Sequence, residues 1–139
     1  MTQQLNPYLH RPGDAREVVD FYRDVFGGTV ETMTFDQGGM PIAEGWGDKL
    51  MHAQLTTDAG FVIMVSDTPP GHETTHGEDV SISLSGRAGD ALRGYWEKLK
   101  DGATIHEELA QAPWGDHFGA CTDKFGTSWL VNIGPSEGE

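Results

Sequence analysis

Residues 21–29, FYRDVFGGT, decide the fold, because their pattern returns 74 positions later as residues 95–103, YWEKLKDGA. In both segments an aromatic pair stands shortly before a glycine that is suited to end a helix. A second match links Gly60–Met64 to Gly126–Leu130, each placed ahead of the closing strand of its half. Two matches in the same order indicate an internal repeat. We therefore interpret the chain as two copies of one module.

The first copy reads as one strand, one helix and three strands. Asp14 and Glu17 match a capping box that opens a helix, apolar residues follow at spacings of three and four up to Phe26, and Gly27-Gly28 is a helix stop. Residues 36–47 are rich in glycine and are predicted to form a loop. The predicted strands, recognised by β-branched residues and alternation, are Leu5–His10, Thr29–Phe35, Leu50–Thr57 and Phe61–Ser66.

The second copy has the same element order. Its helix is predicted over Ala88–Lys100, and its strands are Val80–Ser85, Thr104–Leu109, Gly115–Thr122 and Ser128–Ile133. The sequence thus predicts an α+β chain with one domain, 1–139, in which module one covers about 5–66, a linker loop 67–79 and module two about 80–134. Each half is too small to cover both faces of its sheet. Pairing of the halves, within one chain or across a dimer, would enclose a cleft suited to a small ligand.

Charge and cysteine content exclude several classes of partner. The 139 residues carry 9 basic and 22 acidic side chains, and a net charge of -13 disfavours nucleic acids and anionic membrane surfaces. Met1–Asn6 lacks the features of a secretory signal, and no apolar run is long enough to span a membrane, so we expect a cytoplasmic protein. Cys121 is the only cysteine, which rules out an internal disulfide, and its setting favours a core residue over a nucleophile.

Short motifs over nearly the whole length resemble the glyoxalase, bleomycin-resistance and extradiol dioxygenase group, the vicinal oxygen chelate superfamily. Within it the chain looks most like the PhnB-like branch, whose members often carry the label 3-demethylubiquinone-9 3-methyltransferase. The matching segments are Asn6–Leu9, Ala15–Glu17, Phe21-Tyr22, Phe26–Gly28, Lys49–Leu55, Ser66–Gly71, Trp114–Asp116, Phe118-Gly119, Thr122–Gly126 and Trp129. The resemblance implies paired βαβββ modules that form a curved mixed sheet with helices on its outer face, usually in a homodimer.

The resemblance also implies a divalent metal held by His and Glu at four inward strand positions. By analogy these positions fall near Pro7, Met64, Ser81 and Leu130. None of the four supplies the nitrogen or carboxylate oxygen that such metals need. We therefore expect no metal at these positions. The sequence also lacks a nucleotide-binding glycine motif in the setting of a strand followed by a helix, so we expect no other cofactor.

One histidine motif has the spacing of a zinc protease. Residues 72–76 read HETTH and match the H-E-x-x-H pattern of a helix that binds zinc. Pro69-Pro70-Gly71 before the motif and Gly77 after it disfavour a helix. A solvated loop is the favoured interpretation, with an adventitious surface metal or a metalloprotease as the alternatives.

The candidate site residues follow from alternation within the strands. His52 is either a ligand-contacting or acid–base residue, or a structural histidine of its strand. By alternation the candidate ligand-binding residues are Met64, Ser66, Ser81, Ser83, Leu130 and Asn132, which together make a neutral cleft. Trp114 and Phe118 are added for their rigid apolar area, with packing in the core as the alternative. Such a lining suits a small neutral or amphipathic molecule.

Three functions remain open from the sequence. The first is a protein that binds or sequesters a small molecule without a metal. The second is an enzyme, a lyase, isomerase or dioxygenase, that uses an unusual metal site or uses His52 as acid or base. The third is a dimeric interaction protein with a vestigial cleft.

Overall fold

A computed structural model describes residues 3–39, 41–71, 77, 79–87 and 89–134. The chain divides into two compact units, Met1–Thr75 and His76–Glu139. The first contains β1 (Tyr8–Arg11), α1 (Ala15–Phe26), β2 (Thr29–Thr34), α2 (Phe35–Gly38), β3 (Leu50–Thr56) and β4 (Val62–Asp67). The second contains β5 (Ile82–Gly86), α3 (Gly89–Leu99), β6 (Thr104–Gln111), β7 (His117–Thr122) and β8 (Ser128–Ile133). The predicted α+β class with two βαβββ modules is confirmed. In the part of the chain that the structure describes, no helix has the length and apolar character needed to cross a bilayer.

The first unit is a four-stranded sheet in the order β1-β4-β3-β2, with β1 parallel to β4 and the other neighbours antiparallel. Helix α1 packs against β3 and β4. Its apolar stripe forms because residues three and four apart share one face of a helix. The side chains buried between helix and sheet include Val18, Tyr22, Val25, Ala53, Leu55, Ile63 and Val65.

The second unit repeats this arrangement with the sheet order β5-β8-β7-β6. Helix α3 packs on β5 and β8 through Leu92, Trp96 and Leu99, all of which are buried. These three residues lie 74 positions after Val18, Tyr22 and Val25 of α1, which are buried as well. The repeat that is visible in the sequence therefore corresponds to a repeated contact between helix and sheet.

The β3–β4 and β7–β8 hairpins show the same repetition in their hydrogen bonds. In the first hairpin the backbone N–H of Thr57 donates to the carbonyl of Phe61 at 2.8 Å, and in the second the N–H of Asp123 donates to Thr127 at 2.8 Å. The Thr57 hydroxyl accepts from the Phe61 N–H at 2.9 Å, as the Asp123 carboxylate accepts from the Thr127 N–H at 3.0 Å. Asp123 also accepts from the indole N–H of Trp129 at 2.9 Å. Each buried polar side chain closes its own turn.

The predicted capping box at the start of α1 is wrong. Asp14 occupies the N-cap position, but its side chain makes no capping hydrogen bond. Its carboxylate instead accepts two hydrogen bonds from the guanidinium of Arg11, at 2.7 and 2.9 Å. A bidentate contact between opposite charges is stronger than a bond to a neutral backbone N–H, so Asp14 pairs with Arg11.

A capping box forms at another helix, which the sequence analysis placed in a loop. Helix α2 begins after Thr34, whose hydroxyl accepts from the N–H of Gln37 at 3.1 Å. The Gln37 side chain accepts in return from the N–H of Thr34 at 2.9 Å. This reciprocal pair follows the end of β2 at Thr34, and α2 covers the first residues of the predicted 36–47 loop. Residues 41–47, as the structure describes them, contain turns and no helix or strand.

Strand bounds and ladders also differ from a regular pattern. β1 begins at Tyr8 rather than Leu5, and β5 begins at Ile82 rather than Val80. The register between β2 and β3 shifts between Met33 and Thr34. The ladder between β6 and β7 shifts twice, around Glu107. β2 and β6 are each the last strand of their sheet, so both shifted ladders lie at a sheet edge.

Asp67 connects three elements of the first unit. Its carboxylate, on a residue that is only 4% exposed, accepts from the N–H of Ala15 at 2.8 Å and from the N–H of Leu50 at 2.9 Å. Ala15 opens α1 and Leu50 opens β3, while Asp67 itself ends β4. Two backbone donors that would otherwise be buried without a partner are satisfied by one side chain.

Replacement of Asp67 by Asn should destabilise the protein by about 2 kcal/mol, because the amide NH₂ would face one of the two N–H donors. Urea denaturation followed by circular dichroism measures this change. The matched control is Asp101→Asn in an exposed turn, which should change the unfolding free energy by less than about 0.5 kcal/mol. Equal stability of the two variants would contradict the bridging role of Asp67.

Cys121 should be inert in the folded protein. The residue is fully buried on β7, and burial, followed by the nearby charge of Asp123, raises the pKa of its thiol to about 11. Since the thiolate is the reactive form, a thiol-specific aromatic disulfide reagent at pH 8 should label the native protein at least about 100-fold more slowly than the denatured protein. Rapid labelling of one equivalent without loss of fold would contradict the burial.

Candidate functional site

The face of the first sheet that points away from α1 carries the candidate site. Successive side chains of a strand point to opposite faces, and Ala53, Leu55, Ile63 and Val65 are buried on the helix side. Their neighbours therefore point the other way. We call this surface the far face of the first sheet, and it includes Tyr8, His10, Glu31, Met33, His52, Gln54, Met64 and Ser66.

Three rings of the far face contact one another across the sheet. The Tyr8 hydroxyl lies 2.9 Å from Nδ1 of His52, and the two rings meet edge to face with centroids 5.6 Å apart. Tyr8 also stacks on His10, with centroids 5.0 Å apart and an angle of 15° between the planes. Nδ1 of His10 lies 3.2 Å from the hydroxyl of Ser66. Because β4 separates β1 from β3, the Tyr8–His52 contact spans a strand.

Methionines and one amide complete the far face. Met64 pairs with Tyr8 on one side and with Gln54 on the other. Met33 pairs with His52 and is 43% exposed. Glu31 pairs with Gln54 at the edge strand β2. The surface thus combines flat aromatic area, thioether groups and neutral hydrogen-bonding groups, with a carboxylate at its margin.

The corresponding far face of the second sheet carries hydroxyl, amide and apolar side chains. Ser83 pairs with Leu130, and Phe118 pairs with Asn132. The Asn132 amide donates to Asp116 at 3.1 Å. The Ser81 hydroxyl lies 2.7 Å from that of Ser128.

Trp114, also predicted to bind ligand, lies in the β6–β7 turn. It is 64% exposed and contacts the ring of Phe118 edge to face at 6.0 Å. The predicted ligand-binding residues therefore belong to two groups. Met64 and Ser66 join His52 in the first unit, and the remaining six lie in the second unit.

The two copies have diverged mainly on their far faces. At a spacing of 66 positions, the helix-side pairs are Ala53 and Gly119, Leu55 and Cys121, Ile63 and Trp129, and Val65 and Val131, all of them buried. The far-face pairs at the same spacing are His52 and Phe118, Gln54 and Ala120, Met64 and Leu130, and Ser66 and Asn132. The packed side has kept small and apolar residues, whereas the chemistry of the far face has changed.

The side chains at the four positions of the superfamily metal site do not fit a divalent metal. The observed register moves two of the assignments, because Tyr8 rather than Pro7 pairs with Met64, and Ser83 rather than Ser81 pairs with Leu130. The backbone carbonyl of Pro7 accepts from Met64 instead. A phenol, a thioether, a hydroxyl and a hydrocarbon are not the imidazole and carboxylate set that such metals require.

Among the described residues, no three His, Cys, Asp or Glu side chains lie close enough together to hold a metal ion. The predicted loop with the H-E-x-x-H pattern, 72–76, lies outside the described residues.

Sequence reasoning found His52 but missed Tyr8, His10 and Gln54. His10, the last residue of the predicted strand Leu5–His10, is exposed, yet it also contacts Ser66 and Tyr8. The signal that identifies these residues is the parallel register of β1 and β4, which places Tyr8 beside Met64 and His10 beside Ser66. Gln54 was identifiable from its spacing of two residues from His52.

Comparison with known proteins agrees with the fold. Rv0887c of Mycobacterium tuberculosis H37Rv, described as uncharacterized, is 32% identical over 135 residues, which cover 91% of this chain and 72% of that protein. The crystal structure of PA1353 from Pseudomonas aeruginosa superposes with a TM-score of 0.82 at 33% identity, covering 97% of this chain and all (100%) of the other.

A PhnB protein from Bacillus cereus, which carries the label 3-demethylubiquinone-9 3-methyltransferase, shares the fold. Its TM-score is 0.72 at 22% identity, covering 95% of this chain and 100% of the other. The sequence model of one superfamily matches residues 4–131, nearly the whole of both modules. The chain therefore belongs to the Glyoxalase/Bleomycin resistance protein/Dioxygenase superfamily.

Proposed function

We propose that the chain binds a small neutral or amphipathic molecule on the far face of its first sheet, without the divalent metal of the superfamily. The observation that carries this proposal is the contact network of Tyr8, His10, His52 and Ser66. Ligand sites are mostly apolar surfaces with a few fixed polar groups that orient the ligand. The network supplies both kinds of surface on one side of one sheet.

The apolar part of the far face combines two flat aromatic rings with a flexible thioether. The rings of Tyr8 and His10 are nearly parallel, and aromatic rings add contact area with little loss of side-chain entropy. Met64 lies between Tyr8 and Gln54 in the ladder, and a thioether adapts to ligands of different shape. These groups favour an apolar or aromatic body.

The polar part supports a neutral ligand. Apart from Glu31 at the edge, the polar groups of the described far face are a phenol, a serine hydroxyl, an amide and two imidazoles. The net charge of -13 disfavours the approach of anions. We propose a further surface for ligands of the same class on the second sheet, at Ser83, Phe118 and Asn132, where the Asn132 amide contacts the Asp116 carboxylate.

A metal-independent enzyme is the second candidate function, and one observation favours it. Nδ1 of His52 is hydrogen-bonded by a side chain from another strand, and a partner on one ring nitrogen orients an imidazole for proton transfer at the other. Binding and catalysis would then use the same surface. The two functions differ in whether the bound molecule is changed.

We also propose that two chains form a homodimer, as the resemblance to the superfamily implies. Light scattering coupled to size-exclusion chromatography should give a mass of about twice the 15.1 kDa chain. A mass of one chain at micromolar concentration would contradict the dimer and would leave the ligand site on the first sheet unaffected.

The ligand proposal predicts that a screen of neutral aromatic and amphipathic compounds will shift backbone amide NMR signals of β1, β3 and β4. For the best compound, His52→Ala should lower the affinity about tenfold, because one oriented hydrogen bond and part of the contact area are lost. The matched control is His106→Ala, which removes a histidine that is also hydrogen-bonded to a hydroxyl, that of Thr122 at 2.8 Å. The control should leave the affinity unchanged.

Three outcomes decide between the alternatives. Equal losses in the two histidine variants would contradict a site on the first sheet. A gain in affinity of more than about tenfold on addition of Fe²⁺, Ni²⁺ or Zn²⁺ would contradict the metal-free part of the proposal. Conversion of the compound by the native chain, abolished in His52→Ala and detected by mass spectrometry, would favour the enzyme.

A further inference from the structure

The contact between Tyr8 and His52 has a direction. A phenol O–H is a good donor and a poor acceptor, whereas an unprotonated imidazole nitrogen is a strong acceptor. At 2.9 Å the pair is in full hydrogen-bonding contact, so the favourable arrangement has the Tyr8 hydroxyl donating to Nδ1 of His52. In a neutral imidazole the remaining proton then lies on Nε2.

The Nε2–H group of His52 is left without a partner in the network. Within the described residues of the first unit, the hydrogen bond of the His52 side chain is the one to Tyr8. The hydroxyl of Ser66, which is the nearest candidate by ladder position, contacts His10. His52 is half-buried rather than fully exposed, so a donor that points from it is partly shielded from water, where a ligand contact gains most.

We propose that His52 donates its Nε2–H to the carbonyl oxygen of a planar aromatic ligand, and that Tyr8 is the positioning residue that holds His52 in this tautomer. The flat body of the ligand contacts the stacked rings of Tyr8 and His10 and the thioether of Met64. This inference rests on the proposed function and specifies its ligand class.

A neutral carbonyl suits the surroundings better than a carboxylate. The titratable groups that share the far face with His52 are Tyr8 and His10 from β1 and Glu31 from the edge strand β2. Glu31 repels an anion, as does the overall charge of -13. A carbonyl oxygen accepts the same hydrogen bond without this penalty. The neighbouring Gln54 amide, for which the described residues of the first unit provide no hydrogen bond, is available to a second polar group of the ligand.

The tautomer can be tested without a ligand. Long-range ¹H–¹⁵N spectra of the histidine side chains of the full chain at pH 8 distinguish the two neutral forms. The expected result is the Nε2–H form for His52 in the native chain and a shift toward a mixture in Tyr8→Phe, which keeps the ring and loses only the hydroxyl. An Nδ1–H form in the native chain would overturn the inference.

The ligand class can be tested with 1-indanone and indane, a pair that differs only in the carbonyl group. The native chain should bind 1-indanone about tenfold more tightly than indane, the upper range for one neutral hydrogen bond. This preference should vanish in His52→Phe and fall to about threefold in Tyr8→Phe, with little change in the affinity for indane. His106→Phe is the matched control and should keep the tenfold preference. Circular dichroism melts establish that each variant is folded.

The outcomes separate this inference from the proposed function. Equal binding of both probes on the far face would overturn the carbonyl contact and leave the binding function standing. A preference for 1-indanone that survives His52→Phe would assign the contact to another residue and overturn the inference. Absence of any shift on β1, β3 and β4 with either probe at millimolar concentration would count against both proposals.

Discussion

The buried carboxylate of Asp67 is the interaction on which the first unit depends. It accepts hydrogen bonds from the first N–H of α1 and the first N–H of β3, and Asp67 itself is the last residue of β4. One side chain therefore connects the helix to both central strands. This connection fixes the position of β3 along β4, and therefore which side chains are neighbours on the far face. His52 lies two residues after Leu50, and its position opposite the Tyr8 hydroxyl follows from this anchoring.

The second unit reaches the same topology with a different polar anchor. The position equivalent to Asp67 is Ile133, which is buried. The buried carboxylate of this unit is Asp123, which accepts from the N–H groups of Phe125 and Thr127 and from the indole of Trp129. Both copies close their hairpin with a buried polar side chain, Thr57 in the first and Asp123 in the second, and the first copy adds the Asp67 carboxylate at the start of its helix. The repeated features are therefore the apolar contact of helix on sheet and the closed hairpin turn, whereas the polar contact at the helix start belongs to the first copy.

Most of the fold could be predicted from the sequence because its signals are local. The helix stripes, the glycines after them and the alternating strands each need only a short window of residues. The errors arose where two local signals competed. Asp14 has both a capping pattern and Arg11 within reach, and the charged partner prevails. Thr34 and Gln37 carry a capping signal inside a glycine-rich segment, where composition alone favours a loop.

The candidate site was less predictable because it depends on pairing between distant strands. Alternation within β3 and β4 is sufficient to place His52, Met64 and Ser66. The roles of Tyr8 and His10 require the parallel register of β1 with β4, and no local pattern encodes that register. A histidine at a strand end has ordinary exposure by every local criterion, and only its partner 56 positions away makes it part of a network.

The irregular ladders of the edge strands β2 and β6 affect the tendency of the protein to aggregate at high concentration. A flat edge strand offers free N–H and C=O groups to any other chain, whereas a bulge or a charge makes that edge a poor template for a further strand. β2 carries its shift next to Met33, and β6 carries two shifts around Glu107. The register shifts therefore make one edge of each sheet a poor template for a further strand, and they disfavour assembly of chains through β2 and β6.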